Sequence, residues 1–135
     1  GGNDVVSVMG TANADTVTAN IDITSTVQVG SFLAVAMPTI DVERLAIGTL
    51  AGADAISVSA ADTVNANLSV DAGDPAPAKN KLGDVLAASA TSPKGFVQNS
   101  PGGPTQGSGI VQISYPKTTG TTVQIDYTGV EKVTK

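Results

Sequence analysis

The chain contains no cysteine, no histidine and no tryptophan. Without the first two, Ser-His-Asp and Cys-His nucleophile systems, zinc sites of the usual ligand sets, thiol redox chemistry and disulfides are all excluded. A loop-rich secreted eukaryotic domain would carry disulfides, so their absence points to an exported bacterial or archaeal protein. Positive charge is scarce as well: Arg44 is the single arginine, Lys+Arg total 7 against 12 Asp+Glu, and the net charge is -5 over 135 residues. That balance argues against nucleic acid and anionic membranes as partners. No apolar run approaches the roughly 18 residues of a membrane-spanning helix, so no membrane insertion is expected. No signal-peptide pattern is present either, so the sequence reads as mature or excised.

Aromatic residues make up 3% of the chain, namely Phe32, Phe96, Tyr115 and Tyr127, although 41% is hydrophobic. Most of the apolar share is therefore Ala and Val, and Thr, Ser and Gly fill much of the rest. Such side chains suit thin layers built from β-branched residues better than a wide globular interior. Strand signals follow suit. Val5–Val8, Thr16–Thr18, Ile21–Val29, Ile56–Val58, Ile110–Tyr115 and Thr121–Tyr127 are short, β-branched and bounded by Gly, Asn, Asp or Pro. Val111, Ile113 and Tyr115 share one face, as do Val123, Ile125 and Tyr127, with polar residues between them. The five residues Pro116–Gly120 then predict a β-hairpin. Helical periodicity is missing, since Phe32–Met37 is short and Pro38 follows it. The expected class is all-β. Two stretches rich in Pro, Gly, Ser and Thr, 72–80 and 87–109, read as surface loops, the second a tolerated insertion or a recognition segment.

The sequence also repeats itself. Gly10–Thr18 matches Gly48–Ser57 with one residue inserted, and Asn20–Ile23 matches Asn67–Val70. Val27–Val29 matches Val123–Ile125, and Ile40–Leu45 matches Tyr127–Val133, with both glutamates of the chain, Glu43 and Glu131, in this last element. This divides the chain into the end of a preceding repeat (1–9), a compact repeat (10–47) and an expanded repeat (48–135) carrying both loops, within one continuous domain. A smaller unit, Gly/Asn-x-Asp-x-apolar-x, occurs at Gly2–Ser7, Asn13–Thr18 and Gly52–Ser57, with an echo at Gly83–Leu86. It encodes a turn with left-handed backbone, an Asp that binds amides or a cation, and the first buried residue of a strand.

This unit resembles a degenerate RTX (hemolysin-type) repeat, and the larger arrangement resembles tandem modules of large secreted bacterial surface proteins. The resembling runs are Gly10–Thr18, Val70–Pro75 and Thr128–Glu131. The resemblance implies a parallel β-roll, calcium held by turn aspartates, and a place outside the cell or on its surface. It departs from the RTX pattern in spacing, since the Asp turns here recur at about 11 and 39 residues and the Gly-Gly pair that opens the motif survives only at Gly1–Gly2.

Asp4, Asp15 and Asp54 are accordingly candidate calcium ligands, or else turn caps that need no ion. Asp71, Asp74 and Asp84 form the densest acidic group and the alternative calcium site. Glu43 and Glu131 could be paired catalytic acids, but their equivalent repeat positions, each followed by a basic residue, favour a structural role. The expected architecture is an elongated parallel β-solenoid (β-helix or β-roll-like) with loop and hairpin insertions; a β-sandwich is the alternative. With the loops set aside, about 100 residues give about five turns of roughly 20 residues, stacked about 4.8 Å apart. Neither end reads as capped, so neighbouring repeats or copies are expected end to end. The expected function is a non-catalytic extracellular structural or adhesive module, with calcium as a candidate stabiliser and surface polysaccharide as a candidate partner. The alternatives are a self-assembling filament or surface-layer subunit and, third, a carbohydrate-active or carbohydrate-binding module.

Overall fold

The computed structural model describes residues 3–73, 83–102 and 107–135. It is all-β, 55% strand, with two mixed sheets, no closed barrel and no α-helix among the described residues. In chain order the strands are β1 (Val5–Met9), β2 (Thr16–Ile21), β3 (Thr24–Val29), β4 (Val35–Pro38), β5 (Arg44–Gly48), β6 (Ala55–Ala60), β7 (Ala66–Asp71), β8 (Val85–Ala90), β9 (Phe96–Pro101), β10 (Gly109–Ser114), β11 (Thr122–Thr128) and β12 (Lys132–Thr134). A 3-10 turn, Thr39–Asp41, links β4 to β5.

Each sheet has six strands. The first runs β1-β5-β7-β11-β10-β9 and the second β12-β8-β6-β2-β3-β4. The central ladders β1-β5-β7-β11 and β2-β6-β8-β12 are parallel throughout. Two antiparallel extensions complete the sheets, β3-β4 beyond β2 and β10-β9 beyond β11. The chain therefore crosses from one sheet to the other along β1, β2, β5, β6, β7, β8, β11 and β12, laying each strand beside its predecessor in the same sheet. Thr16 stands opposite Ala55 and Val17 opposite Ile56, so the matching runs before β2 and β6 stack in register.

Period-two patterning builds the core. Val17, Ala19 and Ile21 of β2 face inward, as do Ile56, Val58 and Ala60 of β6, while the alternate Thr and Ser face solvent. Val111, Ile113 and Tyr115 meet Val123, Ile125 and Tyr127 across the predicted hairpin, all buried. The two core tyrosines bring hydroxyls that need partners. Tyr115 donates to the Ala60 carbonyl at 2.7 Å and Tyr127 to Asn99 Oδ1 at 3.0 Å.

The 87–109 stretch is a partial correction. It holds most of β8 and all of β9. Pro, Ser and Gly masked the alternation of Phe96-Val97-Gln98-Asn99, and β9 acquires its order by pairing with β10. Of the 72–80 stretch, only Ala72 and Gly73 lie within the described residues.

Crossing between sheets requires close-packed arches. Gly73 has φ +85, and a Cβ there would lie 1.4 Å from the Leu50 carbonyl oxygen. Gly52 has φ +135, and a Cβ there would lie 2.7 Å from the backbone of Asn13. Each arch thus seats on the one before it through a glycine.

Candidate functional site

Along the edge where the arches run, the second sheet starts each parallel strand with an acid. A strand's first amide lies outside the regular ladder and needs an acceptor. The Asp15 amide donates to Asp54 Oδ1 at 2.7 Å, and the Asp54 amide donates to Asp84 Oδ1 at 2.7 Å. The Asp84 amide donates in turn to Glu131 Oε2. Return bonds lock the column: the Ala55 amide reaches the Asp15 carbonyl and the Val85 amide reaches the Asp54 carbonyl, each at 2.9 Å. At the column's start, Asp15 Oδ2 accepts the Thr11 amide at 2.5 Å and the Thr11 hydroxyl at 3.1 Å. These are charge-assisted bonds, stronger than neutral amide pairs.

The opposite edge repeats the device once. The Asp4 amide donates to Glu43 Oε2 at 2.6 Å, and the Glu43 and Arg44 amides return to the Asp4 carbonyl at 3.1 and 3.3 Å. Glu131 and Lys132 do the same to the Asp84 carbonyl at 3.0 and 3.1 Å. In both places the glutamate amide folds back onto the preceding carbonyl, so it asks for no further carboxylate and the column ends.

The sequence candidates are therefore regrouped. Asp15, Asp54 and Asp84 share one column, closed by Glu131. Asp4 opens β1 of the first sheet and belongs with Glu43 at the other edge. Asp71 ends β7 and accepts the Gly73 amide at 3.0 Å, which closes its own turn and leaves it outside the column. Asp74 lies outside the described residues. Among the described residues, no group of three or more Asp or Glu side chains forms a cluster that could hold a metal ion.

One rung is incomplete. Thr49 is 0% exposed and Asp54 is 1% exposed, yet Thr49 Oγ1 and Asp54 Oδ2 have no hydrogen-bond partner among the described residues. Thr11 and Asp15 occupy the corresponding places in the preceding arch, where hydroxyl and carboxylate bond each other. Thr11 and Thr49 were overlooked as candidates, although each follows the glycine that opens a repeat.

A second polar group has no counterpart in the sequence patterns. Asp22, just after β2, accepts the Thr63 hydroxyl and the Ile23 amide at Oδ1, both at 2.7 Å. The Thr63 hydrogen bond, and then that of Ile23, holds the Asp22 carboxyl below its ordinary value of 3.8, against a small opposing effect of burial. Nearby, buried Ser25 lies 2.6 Å from the Thr39 hydroxyl, which donates to the Asp22 carbonyl.

The surface also carries a groove of about 540 Å³ lined by Pro93, Lys94, Gly95, Phe96, Pro116, Lys117 and Thr118. Its charged groups are two lysines, and none of the ladder acids lines it. No family model, no curated protein and no solved structure matches the chain.

Proposed function

We propose that this chain is a non-catalytic structural module, built as a short two-sheet parallel solenoid and exposed on or outside a bacterial or archaeal cell. The observation that carries this reading is the carboxylate-to-amide ladder. A catalytic acid must present a free, tunable oxygen to a substrate. Here Asp15, Asp54, Asp84, Glu43 and Glu131 each accept a main-chain amide; Asp15 takes that of Thr11 within its own turn, and the other four take one from a neighbouring strand and so support its register. The solenoid form is favoured over an ordinary sandwich by the chain's path, since eight strands alternate between two sheets with parallel neighbours. The surface location is supported by the cysteine-free composition and by the resemblance of the turn motif to RTX-like modules.

Calcium enters this reading at one place, the buried Asp54 oxygen that the ladder leaves over. Adhesion to polysaccharide, if the module performs it, falls to the Lys94–Phe96–Lys117 groove, where one ring and two cations suit an acidic sugar. The test is incubation with a panel of neutral and acidic polysaccharides, reading new reducing or unsaturated ends together with retention on the polymer. The expected result is no turnover. Turnover that disappears in Asp84→Asn or Glu131→Gln, both still folded, overturns the reading.

A further inference from the structure

We infer that this module adds to a second copy of itself head to tail, with β9 of one copy pairing with β1 of the next and β12 with β4. The inference rests on the structural-module reading above and names its partner.

The topology supplies the polarity. β1 and β9 are the two edges of the first sheet, and β4 and β12 those of the second. Two antiparallel steps separate β9 from β11, so β9 runs in the same direction as β11, β7, β5 and β1. Two antiparallel steps likewise return β4 to the direction of β2, β6, β8 and β12. A copy translated past β9 and β12 therefore continues both parallel ladders at once. Lengths agree as well: β9 has 6 residues against 5 in β1, and β12 has 3 against 4 in β4.

Packing argues the same way. Val6 and Val8 of β1, at one end, and Val97 of β9 and Val133 of β12, at the other, touch the core but stay only partly buried. Among the described residues the core is thus open at both ends, where a stacked copy would cover it. Natural edge strands are normally blunted by Lys or Pro. β1, Val-Val-Ser-Val-Met, carries neither. Pro38 and Pro101 are the last residues of β4 and β9, so each removes one donor and leaves the rest of its edge open. At the start of β1, the Asp4 carboxylate has no donor among the described residues, although its column partner Glu43 receives an amide from the strand beside it. An incoming parallel strand brings amides to that end.

The experiment uses the full chain and two variants, Ser7→Lys on β1 and Gln98→Lys on β9, each a lysine at an exposed position of one edge. Sedimentation velocity is run from low to high micromolar concentration, with circular dichroism and melting to establish folding; Val5→Lys replaces Ser7→Lys if the latter fails to fold. The wild type should associate with rising concentration, each variant should stay monomeric, and a 1:1 mixture should give a heterodimer that grows no further. A folded wild type that remains monomeric overturns the inference and leaves the module reading standing, since only turnover or a catalytic acid overturns that. Association blocked by Ser7→Lys but not by Gln98→Lys indicates symmetric β1–β1 pairing and also overturns it. So does a mixture that forms no heterodimer.

Discussion

The backbone amide of Asp15 reaches the side chain of Asp54 over 2.7 Å, although 39 residues separate the two in the chain. The contact joins successive strands of one sheet at the point where the regular ladder has not yet begun. Asp54 hands its own amide to Asp84 in the same way. One residue thus acts as acceptor for the strand before it and donor to the strand after it.

Removing the Asp54 side chain leaves the half-buried Asp15 amide without its acceptor. Asp54→Ala should destabilise the fold by about 1 kcal/mol, the low end of the cost of a donor left unsatisfied, because the Asp15 amide is half-buried. Asp54→Asn keeps an oxygen for the Asp15 amide, so its loss should be smaller than that of Ala. Urea midpoints with an unchanged slope measure both. Equal losses for Asn and Ala would mean that the side chain acts through its charge instead of as an acceptor.

Glu43 and Glu131 close separate columns on opposite edges. Glu43→Ala and Glu131→Ala should each cost about 1 kcal/mol. With no shared partner, their losses should add to within about 0.5 kcal/mol in the double variant. Strong coupling between them, read by the same urea curves, would place both acids in one site and contradict the two-column arrangement.

Much of this was readable in the sequence, and the limits have physical causes. Period-two runs such as Val111-Gln112-Ile113 and Val123-Gln124-Ile125 fix which side chains meet the core, because burial selects one face. The Gly-Thr…Asp repeat was visible at Gly10 and Gly48, and its two aspartates lie on adjacent strands. Which sheet a strand joins was not visible. Asp4 and Asp15 share a motif, yet one opens a strand of the first sheet and the other a strand of the second, since local turn chemistry is the same at both edges. β9 was hidden because an edge strand is ordered by its neighbour and needs little hydrophobicity of its own. The Asp22–Thr63 bond joins two loops 41 residues apart with no repeated pattern to announce it.

The ladder brings its own donors to Asp15, Asp54, Asp84 and Glu131, so each carboxylate has a hydrogen bond without an ion. Melting in calcium and in chelator should differ by less than about one degree. An ion present at 100 times its dissociation constant and bound only by the folded state adds about 2.7 kcal/mol. That corresponds to several degrees for a chain of this size. A shift of that size, abolished by Thr49→Val, would assign calcium to the unpartnered Asp54 oxygen.

Arch seating makes Gly73 among the least tolerant positions. Ala there combines a left-handed backbone with a Cβ 1.4 Å from the Leu50 carbonyl. The loss should be at least about 2 kcal/mol. Leu50 itself has φ 68 and is 48% exposed. Leu50→Gly should therefore relieve the left-handed strain and gain about 0.5 kcal/mol, with little packing lost. Thermal melting of the two single variants decides both signs, and a neutral Gly73→Ala would show that successive arches do not touch there.

The Asp22 carboxyl titrates below its ordinary value because the Thr63 hydroxyl, and secondarily the Ile23 amide, bond its charged form. A depressed folded value contributes stability that is complete above the unfolded value of about 3.8 and is lost as the pH falls through the lower folded value. Thr63→Ala removes the larger cause, so the Asp22 titration should move up toward 3.8, whereas Thr63→Ser, which keeps the hydroxyl, should leave it low. Because Asp22 is exposed, the accompanying change in stability at neutral pH should be slight. Carboxyl carbon shifts followed by NMR between pH 2 and 6 read the midpoint directly. An unchanged midpoint in Thr63→Ala would mean that the Ile23 amide alone holds the charge, and that the loop after β6 does not clasp the loop after β2 through this bond.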